Sequence, residues 1–350
     1  MLIDYYYLLL DREENEIGRM RGVLRGSGRI TYSSAASVKS KASLTLTPQG
    51  QFDHWLHVRV QPWVVLEGEE WPLGVFMPNI PSSGFANAGE QSSVSLLDKT
   101  NILARDWFGS THGAPEGTVI TERVRDIIAS TGEPPGAITE DDSTLLTSAE
   151  WSPEFSKLQI VNELLDSGNY FSLWTDGNGQ FQVTPWQRPA RRPVSATFRD
   201  KHGDSVVAYS NKFTRTHDIG KVPNVYIART QGDDETEALG AEAINDDPND
   251  PFSTEGRGFR VLPESGPDLD VKTTSQTALE EYAARRLIES SQPQETLVIK
   301  HLPARWGIND AVRFESRRYD IDGLFTVQKQ EWALAYNGLV TSTLRRVVDI

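Results

Sequence analysis

The sequence of 350 residues contains no cysteine, and its basic residues are fewer than its acidic ones. The absence of cysteine excludes disulfide frameworks, thiolate zinc sites and cysteine nucleophiles. The 35 lysines and arginines against 49 aspartates and glutamates give a formal charge of −14, which is the opposite of what a phosphate-binding surface needs. We therefore expect no stable nucleic-acid binding, and a fold stabilised by packing, strand pairing and oligomerisation.

Long hydrophobic runs are absent as well. The most apolar run, Met1–Leu10, contains Asp4, follows no basic region and lacks a small-residue cleavage site. It is also much shorter than the roughly 20 apolar residues that a membrane-spanning helix needs. We predict an opening β-strand here, with no membrane span and no secretion by the usual route.

The residues that are present favour β-structure at both ends of the chain. Apolar residues make up 38% and aromatic residues 9% of the sequence, which is enough to bury cores in two or three domains. Short runs broken by turn residues predict strands at 43–46, 57–65, 71–76, 296–302, 311–315, 324–334 and 339–348. Turns are predicted at Glu67–Glu70, at Tyr319–Gly323 and at Asn337-Gly338, the last of type I′.

The middle of the chain carries the helical signals. Apolar spacing predicts a short helix from Leu96 to Trp107, a second helix over Thr121–Thr131 with Thr121 as N-cap, and a third over Ser156–Ser167. The third helix has capping-box spacing between Ser156 and Gln159 and Gly168 at the C′ position. A hairpin follows, with Tyr170–Trp174 and Gln180–Thr184 on either side of Asp176–Gly179.

Further strands are predicted at Val206–Tyr209 and Val222–Ala228, before a polar stretch with little periodicity. We interpret this stretch, Thr230–Thr273, as a surface excursion that is partly disordered in isolation. The helix predicted after it, Ser275–Ser290, places Leu279, Tyr282, Ala283, Arg286 and Leu287 on one face, and Glu281 is spaced to pair with Arg285.

A short sequence match links the two ends of the chain. Val58-Arg59-Val60 followed by Leu73–Phe76 resembles Val312-Arg313-Phe314 followed by Gly323-Leu324-Phe325. Matches of this length arise easily, so the residues alone leave open both an internal duplication and chance.

Histidines and carboxylates give no catalytic or metal-binding pattern. His54 and His57 would lie on opposite faces of a strand, and the other histidines are scattered: His112, His202, His217 and His301. Asp246, Asp247, Asn249 and Asp250 form an oxygen-rich cluster without EF-hand spacing, so we expect a solvated turn with a bound cation as the alternative. Glu67, Glu69 and Glu70 are expected in solvent at a hairpin tip, although carboxylate pairs of the glycosidase kind cannot be recognised from sequence.

The glycine motifs and the one basic run also lack a functional context. Gly26-Ser27-Gly28 is not a nucleophile elbow, Gly220-Lys221 is not a P-loop, and Gly177-x-Gly179 lies within a hairpin instead of at a strand-to-helix turn. Arg188–Arg192 is predicted to be a solvated loop. We predict no catalytic, cofactor-binding or metal-binding residues.

Phrases spread over most of the chain resemble the hub or minor tail proteins of long-tailed bacteriophages. In the first half they are Gly26–Ile30, the Ser/Ala/Lys-rich Ser33–Ser43, Trp55–Val60, Glu69–Phe76, Asp98–Thr100 and Trp174–Gln180. In the second half they are Val222–Ile227, Asn245–Pro251, Ala283–Leu287, His301–Pro303, Asn309–Arg313 and the closing hairpin. No phrase is specific by itself, and the resemblance depends on their order.

The resemblance implies an α+β, mainly β fold with two similar β-barrel or sandwich domains of the tail-tube type and smaller α/β inserts. The implied division is a first β-domain at 1–95 and an α/β insert with the helix–hairpin unit at 96–204. A discontinuous second β-domain at 205–230 and 291–350 follows, with an excursion and helix at 231–290 inserted in it.

The same resemblance implies a structural role in the virion. Three copies would form a ring at the tail tip, and two β-domains per copy would give pseudo-sixfold symmetry to match a hexameric tail tube. Implied partners are other copies of the chain, the tail tube or a distal tail protein, the tape measure protein, and a distal fibre or receptor-binding protein. Assembly would take place in the host bacterial cytoplasm, and the acidic surface would keep DNA from adhering as it passes.

We therefore predict a non-catalytic baseplate-hub protein without cofactors, and two alternatives stay open. One is a tail-associated cell-wall hydrolase; in similar proteins such a domain follows the hub, whereas this sequence ends directly after its last predicted strand. The other is a receptor- or glycan-binding module that stacks sugars on exposed tryptophans such as Trp174 and Trp186, although tryptophans at hairpins are more often packed in cores.

Overall fold

A computed structural model of the chain describes residues 2–47, 57–86, 89–199, 209–210, 212–218, 220, 222–230, 238–265, 275–290 and 294–347. The fold is mainly β, with a 14-stranded mixed sheet, three smaller sheets and five α-helices among these residues. This confirms the mainly β part of the predicted fold class.

Eight strands come first along the described part of the chain. They are β1 (Ile3–Leu10), β2 (Glu16–Arg19), β3 (Gly28–Ser33), β4 (Ser40–Leu46), β5 (Arg59–Leu66), β6 (Glu69–Pro72), β7 (Phe76–Ala86) and β8 (Gly89–Asp98).

An α/β insert follows, built from short elements. These are α1 (Thr100–Ala104), β9 (His112–Ala114), α2 (Ile120–Ala129), β10 (Ala137–Ile138), β11 (Ala149–Trp151), α3 (Lys157–Ser167), β12 (Trp174–Thr175) and β13 (Phe181–Val183).

The remaining strands belong to the large sheet, apart from three consecutive strands that form a smaller one. The remaining elements are β14 (Val194–Arg199), β15 (Thr214–Asp218), β16 (Val225–Arg229), β17 (Gly240–Ile244), α4 (Thr254–Arg257), β18 (Val261–Ser265), α5 (Gln276–Ser290), β19 (Gln294–His301), β20 (Ala311–Ser316), β21 (Ile321–Leu334) and β22 (Val340–Arg346). Strands β17, β16 and β18 form a sheet of their own.

Two sets of six strands pair in the same order within the large sheet. We call β3-β4-β8-β7-β5-β1 the first β-unit and β15-β19-β22-β21-β20-β14 the second β-unit. The corresponding strands also follow one another in the same order along the chain, from β1 and β14 to β8 and β22. One pairing differs in direction, because β1 runs antiparallel to β5 whereas β14 runs parallel to β20.

The two β-units also agree in residue register. Val60 pairs with Phe76 in the first β-unit, and Val312 pairs with Phe325 in the second. The register therefore supports the part of the sequence match that ends on the phenylalanines. It shifts the other part by two residues, since Val60 and not Val58 takes the position of Val312.

A bulge lies at the same place in both β-units. The pairing of β7 with β8 shifts between Pro78 and Ile80, and the pairing of β21 with β22 shifts between Val327 and Lys329. In each case the shift begins two residues after the paired phenylalanine. A bulge adds one unpaired residue and bends its strand, so the long hairpins of both β-units bend at equivalent points.

Strand β3 joins the β-units by pairing antiparallel with the C-terminal end of β21. A Cβ atom at Gly28 would lie 2.2 Å from the Tyr7 hydroxyl oxygen and 2.9 Å from Leu334 Cβ, so only glycine fits at this join. The path of paired strands ends at β15 and at β2. The described strands of the large sheet therefore form an open sheet and no closed barrel.

Separate hydrophobic cores lie in the two β-units, in the insert and beneath α5. The core of the first β-unit includes Trp332, Leu334 and Val340 from the ends of β21 and β22. The long hairpin of the second β-unit therefore packs into the first one, which makes the join a buried interface as well as a pair of strands.

The four predicted helices correspond to α1, α2, α3 and α5, three of them with corrected ends, whereas the short helix α4 was not predicted. Leu96 and Leu97 lie in β8, and α1 begins only at Thr100. The N-cap of α2 is Val119, and Thr121 is a buried residue inside the helix. The capping box of α3 is confirmed, with Ser156 and Gln159 bonded reciprocally.

A predicted helix end, a predicted turn and a predicted strand differ in detail. Gly168 ends α3 with a negative φ, and the next residue, Asn169, takes the left-handed conformation with φ 58°. Asn337 has a positive φ of 55° but Gly338 does not, so this turn is not of type I′. The predicted strand at 71–76 is divided, since β6 ends at Pro72 and β7 begins at Phe76.

The structure describes Thr230 and residues 238–265 of the predicted surface excursion, and residues 231–237 and 266–273 lie outside the described residues. Within residues 238–265 the excursion forms β17, α4 and β18, and these two strands pair with opposite edges of β16. Helix α5 packs on this sheet through Leu279, Tyr282, Ala283 and Leu287. Of the strand predicted at Val206–Tyr209, Val206–Ala208 lie outside the described residues.

Candidate functional site

The three histidines whose side chains the structure describes, His57, His112 and His301, lie in different parts of the fold. His57 is exposed just before β5, His112 stacks on Phe108 with ring centroids 3.7 Å apart, and His301 lies in the core of the second β-unit. His54 and His202 fall outside the described residues. No group of three or more potential metal-ligating side chains was found in the part of the chain that the structure describes.

The acidic turn at 245–251 uses its side chains to hold itself together. Asn245 donates to Asp250 at 2.6 Å, the Asn249 side chain donates to Asp247 at 3.1 Å, and the Phe252 N–H donates to Asp250 at 2.8 Å. These bonds are those of a turn that caps its own backbone. The turn lies directly after β17, in the small sheet.

The glutamates at the first hairpin are partly engaged. Glu67 and Gly68 form the turn with positive φ, whereas Glu69 and Glu70 already belong to β6. Glu70 accepts a hydrogen bond of 2.8 Å from the Tyr6 hydroxyl. Glu69 pairs with Arg305 at 3.1 Å, so these carboxylates face different partners.

The sequence predicted a solvated loop at Arg188–Arg192, but the structure shows that this basic run is only partly solvated. Residues Pro189–Arg191 form a single 3₁₀ turn, and Arg192 folds back over the Phe171 ring, 4.9 Å from its centroid. Arg192 donates to the carbonyl oxygens of Gln187 and Asn309 at 2.9 and 2.8 Å. Burial lowers its pKa to about 10.

Two adjoining cavities lie where the hairpin of the insert meets both β-units and α5. One of about 770 Å³ contains Trp71, Trp306 and Trp332 in its lining, and one of about 650 Å³ contains Trp186, Arg285 and Arg345. Trp174 lines both. The two tryptophans proposed for sugar stacking are thus half-buried at a junction between structural units.

The first β-unit is fastened to the insert by a buried cluster of charges, which sequence reasoning missed. Arg59 binds Glu133 at 2.6 Å and Glu14 at 2.7 Å, and Lys99 binds the same two carboxylates. The hydrogen bonds and charges of Arg59 and Lys99 outweigh burial and hold the pKa of Glu133 below its usual value. Four residues this far apart in sequence give no local signal.

A second contact fastens α5 to the insert. Arg285 donates to Asp166 at 2.8 Å and to the Asn169 side chain at 3.3 Å. The sequence had predicted a pair with Glu281 inside the helix, and that prediction is wrong because Arg285 turns toward α3. Its neighbour Arg286 binds Glu264 at 3.0 Å.

Strand edges are the other candidate surface. Among the described strands, β15 pairs only with β19, and β7 has β5 beside it only at Phe76. From Ile80 to Ala86, β7 is paired only with β8 among the described strands. Unpaired edges present rows of backbone donors and acceptors that another strand can meet.

Comparison with solved structures shows what fold this is. A tail protein from Neisseria meningitidis covers 98% of this chain and 97% of its own, with 14% identity and a TM-score of 0.69. The 43 kDa tail protein of prophage MuSo2 from Shewanella oneidensis covers 97% and 98%, with 12% identity and a TM-score of 0.65. The chain has the fold of phage tail proteins.

The same tail-protein fold extends to secretion machinery. An E. coli component of the type VI secretion system, described as structurally similar to the T4 bacteriophage tail proteins gp27 and gp5, covers 94% of this chain and 76% of its own. Its identity is 10% and its TM-score 0.52. No protein-family description matches the sequence, and no curated protein matches it. Among the described helices, none has the length and apolar character to cross a membrane.

Proposed function

We propose that the chain is a non-catalytic hub of a phage tail tip, in which three copies form a ring between the hexameric tail tube and a distal fibre or receptor-binding protein. The tape measure protein and a distal tail protein would be its other neighbours. The observation that carries this proposal is the identical pairing order of the two six-stranded β-units. Three copies of a chain with two equivalent units present six equivalent units, which is the symmetry that a hexameric tube requires.

The shared bulge and register add support, because equivalent units must present similar surfaces to equivalent neighbours. We place the second unit at β14, β15 and β19–β22, with the small sheet and α5 inserted between β15 and β19. The division predicted from sequence, with boundaries at 95, 204, 230 and 290, stays a prediction. Barrel-like curvature of each unit would arise in the ring, where the sheet is continued by the next copy.

The net charge of the chain supports passage of DNA through the ring. Each copy has a formal charge of −14, and a closed ring of such chains repels a polyanion from any acidic lining. We infer a location at the tail tip of the virion, after assembly in the bacterial cytoplasm.

Two measurements test the proposal. Immunogold labelling of intact tails with antibodies against the purified chain should place the label at the distal end, and label along the tube would contradict a hub. Incubation of the purified chain with isolated cell walls should release no sugar or peptide fragments. Release that grows with protein concentration would favour the hydrolase alternative.

A further inference from the structure

The pairing of β3 with β21 shows how the first β-unit contacts the second within one chain. Strand β20 covers one edge of β21 from Ile321 to Thr326. Beyond the bulge, β3 takes over the same edge, with Thr31 opposite Glu331. The edge strand of the first β-unit thus continues the sheet beside the long hairpin of the second.

Each half of this join has an unmatched counterpart elsewhere in the chain. Strand β15 corresponds to β3 in pairing order, and it is paired only with β19 among the described strands. Strand β7 corresponds to β21, and beyond Met77 no described strand lies beside it on the side of β5. One chain therefore contains one completed join and both components of a second.

We infer that the second join forms between copies, with β15 of one copy pairing antiparallel with residues Ile80–Ala86 of β7 in the next. This inference rests on the proposed ring and names its contact. In a ring of three copies, joins within chains would alternate with joins between chains. Both kinds would use the same strand geometry, as pseudo-sixfold symmetry demands.

The internal register fixes which residues meet on the β7 side. Ser82 follows Phe76 by six positions and Glu331 follows Phe325 by six, and both phenylalanines occupy the same place in the pairing order. Ser82 therefore corresponds to Glu331.

The β15 side is fixed through two successive pairings. Thr31 pairs with Lys41, which pairs with Leu97, one residue before the partner of Phe76. Thr216 pairs with Thr296, which pairs with Arg345, one residue before the partner of Phe325. Thr216 therefore corresponds to Thr31, and in the inferred contact Thr216 of one copy lies opposite Ser82 of the next.

The chemistry of the two edges suits a specific contact. Ser82 and Thr216 are exposed in the single chain, and short hydroxyl side chains form favourable cross-strand pairs. Pro81 lies within the inferred contact and has no backbone N–H to donate, and proline in sheets is confined to edge strands, strand starts and bulges.

The absence of cysteine makes the register directly measurable. We would introduce S82C and T216C together and treat the protein with a short bifunctional thiol reagent, whose flexibility removes dependence on disulfide geometry. Denaturing electrophoresis should show covalent dimers and trimers. The yield should exceed that of the off-register pair S82C/K212C by at least about tenfold, because aligned thiols have a high effective concentration.

Three controls complete the design. The pair T31C/E331C spans the internal join and should link within one chain, without a change in mass, which calibrates the reagent for this register. Neither S82C nor T216C alone should give trimers. Particle mass, measured before cross-linking, reports ring formation independently.

The outcomes separate this inference from the proposed function. Rings with in-register linking support both. Rings in which S82C/T216C links no better than S82C/K212C overturn the inferred contact and leave the hub proposal standing. Absence of rings and of linking, together with label away from the tail tip, overturns both.

Discussion

The first and second β-units share a strand order and differ in what fills equivalent positions. Leu46 and His301 occupy corresponding places at the ends of β4 and β19, and both are buried. Arg59 and Ala311 correspond in the same way on β5 and β20, and both are again buried. Backbone pairing thus specifies this fold while tolerating an aliphatic, an aromatic or a charged side chain at a given core position.

The difference follows from what each β-unit has to hold. The insert begins directly after β8, and Arg59 reaches out of the first β-unit to the Glu133 carboxylate beyond α2. The second β-unit has no charge at the position of Arg59, and its core is instead rich in aromatic rings around Phe198 and Phe314. Attachment of the insert, more than the sheet itself, accounts for the buried charge of Arg59.

Removing the charge at Arg59 should lower the free energy of unfolding more than any other substitution considered below. The substitution R59A makes the position resemble Ala311 but leaves Glu133 buried beside Lys99 alone, and breaking a buried pair by removing one partner costs about 3–5 kcal/mol. We expect the free energy of unfolding to fall by that amount in chemical denaturation.

The matched control for this variant is R313A in the second β-unit. The Arg313 side chain is 48% exposed and pairs with Glu315 and Asp322, and such surface pairs contribute about 0.2–1 kcal/mol. Equal losses in the two variants would show that the buried cluster has no special role.

His301 should give the second β-unit a pH dependence of stability that Leu46, at the corresponding position, cannot give the first. Its ring is buried, bonded to the Ser342 hydroxyl at 2.8 Å and stacked on Trp306, and burial lowers its pKa to about 4. The folded protein therefore keeps the ring neutral while the unfolded chain protonates it. The neutral ring therefore contributes about 3 kcal/mol to the free energy of unfolding. This contribution is fully present above pH 6.5 and is lost as the pH falls from 6.5 toward 4.

The variant H301L, which copies Leu46, isolates this contribution. Carboxylates such as Glu133 and Glu295 also titrate in acid, but they are present in both proteins, so the difference between the two stability curves reports the histidine. We expect the free energy of unfolding of wild type to fall relative to that of H301L as the pH falls from 7 to 4.5. Parallel curves would mean that the ring is not held neutral by the fold.

Local signals explain what could be predicted from the sequence. The capping box at Ser156 was found because both of its partners lie within one turn of helix. The hairpin around Asp176–Gly179 was found because its turn residues are adjacent in sequence. The strands predicted at 43–46, 57–65, 296–302, 311–315 and 324–334 overlap β4, β5, β19, β20 and β21, because turn residues separate these short runs. Strands β2 and β3 were not predicted.

Non-local contacts explain what could not be predicted. Leu96 and Leu97 suggested a helix since two adjacent apolar residues at the end of a buried strand have no clear period. The equivalence of the two β-units is nearly invisible in sequence, because corresponding positions such as Leu46 and His301 share burial but not residue type. The charged cluster around Arg59 needed the fold itself, since its partners come from three separate segments.

The smallest effect is expected where α5 is attached to the insert. In R285A the hydrogen bonds to Asp166 and Asn169 are lost, and bonds to charged groups contribute about 1.5–3 kcal/mol when well buried; with Asp166 25% exposed we expect the lower end of that range. Hydrogen exchange should speed up in α5 and in β16–β18 and stay unchanged in the first β-unit, which is fastened through Arg59 instead. The control E281A removes the partner that helical spacing had suggested and should change neither, and a slower or uniform response in R285A would mean that the small sheet is held by its own core alone.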